Sequence, residues 1–222
     1  MTRPTSGPAR KPGRPRRGEV AARRVTLLEA SLDAFLLSGF AGTSLDDIAR
    51  AAHVAKRTIY EQFGDKEDLF AACIDQASRW LVGTFPPSKP AVNDLRKDLV
   101  TIGCAVLAFV LHWRSLSIYR LVVGESARQP NLARLFYQHG PARVIAGVAS
   151  LLRQRLGPAS TSRAASERYA RDFVGLVVLE VQQRTVLGLA QPLSPAEIKA
   201  HVVRKVEMFL GGLPTGGDGA GT

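Results

Sequence analysis

A chain of 222 residues with 45% hydrophobic and 22% charged residues is long enough to bury a core and has the balance of an ordinary globular protein, which excludes a fibrous or wholly disordered chain. Its formal charge of +11 implies a polyanionic partner, and its two cysteines, Cys73 and Cys104, lack Cys-x-x-Cys spacing, which argues against a disulfide framework and fits a reducing cytosol. The longest uncharged run, residues 99–111, is shorter than the roughly 20 residues a bilayer requires, and no basic amphipathic helix carries the charge, so nucleic acid is the expected polyanion and a membrane is not.

Residues 1–18 hold Pro4, Pro8, Pro12 and Pro15 and read as a disordered basic arm, because a helix interior tolerates no such spacing of proline. Residues 1–24 carry eight basic groups against Glu19, residues 25–66 have a net charge of −2, and residues 67–222 supply +6. The arm therefore holds most of the excess charge. From Glu19 a helical pattern begins, with Val25, Leu28, Leu32, Phe35 and Leu36 at three- and four-residue spacing on one face. Ser38-Gly39 closes it, since glycine enters the left-handed conformation that ends helices. Thr43 or Ser44 caps a second helix with Asp46 and Asp47 in its first turn, where the helix dipole favours acids, and with Leu45, Ile48, Ala49 and Ala52 inward. A turn at His53-Val54 leads to a third helix, Lys56 to Phe63, which buries Ile59 and Phe63 and is broken by Gly64. A fourth starts near Asp65 with Leu69, Cys73, Ala77 and Trp80 inward, and runs to Gly83 and the Pro86-Pro87 pair.

Beyond Pro90 the helical period continues, with no alternating strand pattern and no phosphate-binding glycine loop. Helices are expected at 92–113, 115–127, 130–156, 163–190 and 195–211, with Gly140-Pro141 kinking or splitting the third of these. Ser194-Pro195 with Glu197 is a helix start: capping serine, proline at the first helical position, acid in the first turn. The reading is an all-α protein of about nine helices. The arm is followed by a three-helix unit over 19–66, a helical domain over 67–210 and a disordered Gly/Pro-rich tail over 211–222.

Residues 43–66 are two short helices around a tight turn, a unit that can lay its second helix in the major groove of DNA. The string Val54-Ala-Lys-Arg-Thr-Ile-Tyr-Glu-Gln-Phe-Gly-Asp-Lys-Glu-Asp-Leu69, with Ile48-Ala49 ahead of it, resembles the signature of TetR/AcrR-type bacterial transcriptional regulators. Ile118 to Glu125 followed by Pro130 to Phe136 is similar to the AefR-like branch of their C-terminal domains. The resemblance implies a cytoplasmic homodimer on a palindromic double-stranded operator, most simply a repressor released by an unidentified small molecule that binds among the C-terminal helices. It also implies a dimer seam along the helices near 163–190 and 195–211, through Leu176, Leu179, Val186, Val203, Val206 and Phe209, although packing within one chain explains the same apolar pattern. Two positions depart from the family pattern: His53 stands where glycine is usual in the turn, and Ala55 stands where serine usually precedes the third helix. His accepts a left-handed backbone less readily than glycine, and Ala55 offers no capping oxygen, a loss of about 1 kcal/mol.

Within this frame Arg57 is the first choice for base readout, because its guanidinium can fork onto guanine O6 and N7, with Lys56 beside it. Thr58 suits a thymine methyl or a phosphate, and Gln62 suits adenine. Tyr60 and Lys66 match positions that hold phosphates in relatives, and Thr43 and Ser44 have hydroxyls for the same purpose, although capping explains one of them. Gly13-Arg14-Pro15-Arg16 resembles a minor-groove hook in which Arg14 and Arg16 follow a narrow groove; a generic cationic arm explains the same charge. For the ligand, Phe109, His112, Trp113, Tyr119, Phe136, Tyr137, Phe173 and Glu180 can line a pocket, and each also reads as ordinary core or surface. The four histidines (His53, His112, His139, His201) lack metal-site spacing, and there is no Gly-x-Ser-x-Gly, so neither an enzyme nor a cofactor or metal is expected. The competing function is a DNA-binding regulator or architectural protein without small-molecule input.

Overall fold

The computed structural model describes residues 17–87, 94–157 and 161–213. The expectations for the arm up to residue 16, Arg14 and Arg16 included, and for the tail beyond 213 lie outside the described residues. Every regular element among the described residues is a helix: α1 (Arg17–Gly42), α2 (Leu45–Ala51), α3 (Lys56–Phe63), α4 (Lys66–Gly83), α5 (Leu95–Leu111), α6 (Trp113–Glu125), α7 (Pro130–His139), α8 (Pro141–Leu156), α9 (Arg163–Val186) and α10 (Pro195–Gly211). The tenth helix arises at Gly140, whose φ −108°, ψ −96° leaves the helical region just before Pro141, a residue with no N–H to continue the ladder. At the other end of the chain α1 begins at Arg17, ahead of the expected Glu19. Its regular path is interrupted at Gly39 (φ 73°, ψ 166°), where only glycine turns without strain.

Two buried clusters organise these helices. The first gathers Leu27, Leu28, Phe35 and Phe40 of α1, Leu45, Ile48 and Ala49 of α2, Ile59 of α3, and Leu69, Phe70, Cys73 and Ile74 of α4. Ile118 and Val122 of α6 and Leu132 of α7 complete it, so residues on both sides of position 66 share one core. At its centre Phe35 stacks on Phe40 at 5.4 Å, and Phe70 meets both edge-on at 5.6 Å, an arrangement that adds to the simple burial of three rings. The second cluster packs α5, α8, α9 and α10, with Phe173 against Phe209 at 5.3 Å. A buried ion pair crosses it: Arg155 of α8 donates to Asp98 of α5 at 2.5 Å and to the Pro87 carbonyl at 3.0 Å, tying the segment after α4 to the larger bundle.

Two expected faces need correction. Trp80 is 67% exposed and Leu81 takes the inward position in its place; the indole lies instead outside Phe109, 6.4 Å away. Val206 and Phe209 are buried inside the chain's own second core and present nothing to a seam. One helix, Ala21–Gly42, is long and apolar enough to cross a bilayer, but Leu27, Leu28 and Phe35 on it are buried against other helices. Burial also pushes the Cys73 thiol up to about 12, and both cysteines are free.

Because Phe70 is fully buried between two rings, Phe70→Ala should lower the unfolding free energy by about 3–5 kcal/mol in a urea titration. A loss below about 1 kcal/mol would contradict this packing.

Candidate nucleic-acid interface and helical cavity

α2 and α3 are held by local chemistry. Ser44 is the N-cap of α2: its hydroxyl oxygen accepts from the Asp47 amide at 3.1 Å, while Asp47 accepts from the Ser44 amide and hydroxyl. Those bonds hold the Asp47 carboxyl below its ordinary 3.8, so the cap is present above that value and opens only as acid carries the pH down through the lowered one. Thr43 plays a different part from the one expected. It is 3% exposed and its hydroxyl is turned inward to the carbonyls of Gly39 (2.7 Å) and Ala34 (3.1 Å), which removes it from any phosphate. The turn after α2 passes through His53 at φ 53°, the one non-glycine residue with positive φ among those described, at the position where the family pattern has glycine. Ala55 then stands at the N-cap of α3 in extended backbone, with no side-chain cap.

α3 buries Ile59 and turns the rest of its surface outward. The Arg57 side chain is 87% exposed, Tyr60 is 50% exposed, Lys56 and Gln62 are exposed, and Thr58 is half-buried. Both cations on this face are held by acids. Lys56 donates to Asp46 of α2 at 2.8 Å, which keeps its ammonium firmly charged, and Arg57 donates to Glu61 one turn along at 2.6 Å. Exposed pairs of this kind are worth about 0.2–1 kcal/mol, so a phosphate or guanine can displace the carboxylates at little expense. Glu61 went unnoticed at the sequence level; its spacing from Arg57 was the available signal. Arg24 of α1 lies 4.4 Å over the Phe63 ring and brings a further cation to the end of α3.

Lys66 has an internal task. Its ammonium donates to the carbonyls of Phe40 (2.8 Å) and Thr43 (2.9 Å) and lies 4.7 Å from the centre of the Phe40 ring. It thereby fastens the start of α4 to the turn between α1 and α2. An ammonium has three protons, so one remains for another acceptor.

The second half of α4 faces elsewhere. Ile74, Ala77, Ser78 and Leu81 line a cavity of about 230 Å³, walled also by α5, α6, α7, α8 and α9. Of the expected pocket residues, Phe109, Tyr119 and Phe136 line it, with Tyr119 and Phe136 edge to face at 6.2 Å. The others do not. Phe173 is sealed in the second core at 1% exposure, and His112 caps α6, its Nδ1 accepting from the Arg114 amide at 3.4 Å. Trp113 and Tyr137 are 60% and 52% exposed, and Glu180 borders a separate outer groove between α9 and α10 with Glu197, Arg204 and Lys205. The missed contributors come from several walls, among them Ala77 and Ser78 of α4, Val106 of α5, Ser115 of α6, Val144 of α8, and Gly175 and Gln182 of α9. Small residues at helical spacing within an apolar stripe were the signal, because they leave the space that larger neighbours would fill. Beside the cavity, Asp75 of α4 accepts from Arg79 at 2.5 Å and from Arg143 of α8, a brace between the helix that leaves the first core and the wall opposite.

Residues 27–73 match the family model described as bacterial regulatory proteins, tetR family, and residues 97–212 match that of the AefR-like transcriptional repressor, C-terminal domain. The HTH-type transcriptional regulator RutR of Escherichia coli K12 is 38% identical over 72 residues, 32% of this chain and 34% of RutR, so the match spans about a third of that relative's length. Among solved structures, the flavonoid-responsive regulator FrrA is 30% identical with a TM-score of 0.66, covering 86% of this chain and 96% of its own. A TetR-family regulator from Mesorhizobium loti shares the fold at a TM-score of 0.71 and 24% identity, over 86% of this chain and 96% of its own.

The capping arrangement carries a paired expectation. Ala55→Ser should raise the urea unfolding free energy by about 1 kcal/mol by capping α3. Lys66→Ala should lower it by about 1.5–3 kcal/mol by leaving two carbonyls without a charged donor. Equal stability of both variants would refute these assignments.

Proposed function

The chain belongs to the TetR family of bacterial transcriptional regulators, and from that premise we propose that it is a cytoplasmic homodimeric repressor released from a palindromic operator by a small molecule. It is a DNA-binding regulator rather than an enzyme, as the members of the family are. The observation that carries the finer reading is the double duty of α4: Leu69, Phe70 and Cys73 sit in the core beneath α3, while Ala77, Ser78 and Leu81 line the cavity. A molecule that fits the cavity in one placement of α4 and not in another changes the stance of α3 without touching it. Coupling of about 1–3 kcal/mol is ordinary for such an arrangement, provided the two placements differ in affinity for the molecule.

On this reading residues 19–66 form the DNA reader and 67–210 the ligand-binding and dimerising part. Lys56 and Arg57 enter the major groove, Thr58 and Gln62 complete base contacts, and Tyr60 with the free proton of Lys66 holds phosphate. Arg14 and Arg16 add attraction from the arm. Pairing of two copies uses α9 and α10 with the turn between them, where Leu179 of α9, Leu187 and Leu189 of the turn and Met208 of α10 are all more than 60% exposed. The response of FrrA to flavonoids, as its name states, supports a small-molecule input of some kind here. Its absence, with a protein-controlled or architectural role instead, is the competing reading; a ligand panel that never shifts thermal unfolding or DNA affinity favours that one.

Arg57→Ala should weaken binding to an operator selected from a random DNA pool by about 1–3 kcal/mol and relax preference at one base pair per half-site, whereas Tyr60→Phe should weaken all sequences alike. Gel shifts in which Arg57→Ala binds like the parent would refute the placement of α3 in the groove.

A further inference from the structure

We infer that the cavity behind α4 takes an uncharged, flat molecule of about two fused rings with a hydroxyl or carbonyl at its edge, and that it rejects organic ions of the same size. This rests on the proposed reading of the cavity as the effector site. None of its lining residues is Asp, Glu, Lys, Arg or His, and Tyr119 is the one ionisable side chain among them. A charge brought into such surroundings loses its hydration and meets no counter-charge, which is far costlier than burying a hydroxyl that finds a partner. The nearby cations Arg79 and Arg143 do not line the space and are already paired with Asp75.

What polar chemistry the wall offers is neutral and grouped. Ser115 and Tyr119 lie one helical turn apart on α6, and Gln182 of the adjoining α9 lines the same cavity. None of these three side chains makes a hydrogen bond among the described residues, whereas the other hydroxyl of the lining, that of Ser78, already donates to the His139 carbonyl at 2.5 Å. Two hydroxyls and an amide donate and accept, which suits a phenol or a ketone. The rest of the wall is apolar, with the rings of Phe109 and Phe136, the latter edge-on to Tyr119, and the branched side chains of Val106 and Val144.

Size sets the rest. A dry apolar cavity of about 150 Å³ holds benzene, and this one, at about 230 Å³, has room for roughly one more ring. A bicyclic phenol matches the volume, the apolar wall and the grouped hydrogen-bonding edge together.

The test uses the full chain and two probes that share one bicycle, 2-naphthol and 2-naphthoate, titrated calorimetrically at neutral pH. The expected result is one site per chain for 2-naphthol, with a dissociation constant at least tenfold lower than for 2-naphthoate. Tyr119→Phe, which removes a single oxygen atom, should weaken 2-naphthol several-fold. Ala77→Leu, which fills the cavity from α4, should abolish its binding. Equal or tighter binding of 2-naphthoate, absence of 2-naphthol binding to the parent chain, or full 2-naphthol binding in Ala77→Leu would each overturn the inference. Anisotropy with the selected operator duplex separates this from the reading beneath it. If 2-naphthol binds as expected but leaves DNA affinity unchanged, the cavity chemistry stands and the effector role fails. If organic anions release the DNA while 2-naphthol does nothing, the effector role stands and the assigned chemistry fails.

Discussion

The structure depends on α4 belonging to two interiors at once. Its first turns supply Leu69, Phe70 and Cys73 to the core that supports α2 and α3, and its later turns supply Ala77, Ser78 and Leu81 to the cavity wall. A helix is stiff over 18 residues, so displacement at one end is felt at the other. The Lys66 ammonium, bonded to two carbonyls at the end of α1, and the Phe35, Phe40 and Phe70 rings make the reader move with α4 rather than slide past it. Midway along the helix the Asp75–Arg143 pair joins α4 to α8, so the joint is anchored in charge as well as in apolar contact. The extension of the first core into α6 and α7 through Ile118, Val122 and Leu132 gives the larger bundle a second hold on the reader.

The reading face is nearly neutral in the free protein, and that has a physical use. Lys56 and Arg57 are paired with Asp46 and Glu61 in exposed bridges of little worth, so they neither stabilise the fold much nor cling to any polyanion they meet. On the proposed reading, non-specific attraction is left to the eight basic groups of residues 1–24. Division of labour of this sort lets base readout, rather than bulk charge, decide where the reader stays.

Much of this was legible in the chain itself. The limits of α3 at Lys56 and Phe63, the break at Gly64 and the Ser194–Glu197 capping box follow from local chemistry, which depends on neighbours within four residues, and the left-handed turn at His53 agrees with the glycine that the family pattern has there. What local chemistry does not encode is which side of an apolar helix meets a void and which meets another helix. α5 is apolar almost all round, so the period cannot say that Phe109 borders the cavity while Leu107 is sealed in the core. Phe173, an aromatic candidate for the pocket, and Phe209, which the family resemblance puts on a seam, are instead buried against each other by tertiary packing. The internal bonds of Thr43 to Ala34 and of Lys66 to Phe40 are hidden for a related reason, since these partners lie 9 and 26 residues away; only the Thr43 bond to Gly39, four residues away, is within reach of a local rule.

The central claim is that occupancy of the cavity and the stance of α3 are linked through α4. The most direct measurement is the pulsed dipolar distance between nitroxides at Gln62→Cys in the two copies of the proposed dimer, with Cys104 replaced by serine and Cys73 shielded by burial, so that only α3 is labelled. With operator bound, the account predicts a narrow distribution consistent with recognition helices about 34 Å apart, one turn of duplex. With 2-naphthol in place of DNA it predicts a distribution displaced by several ångström. The same distribution in both states, with the cavity shown by calorimetry to be filled, would contradict it.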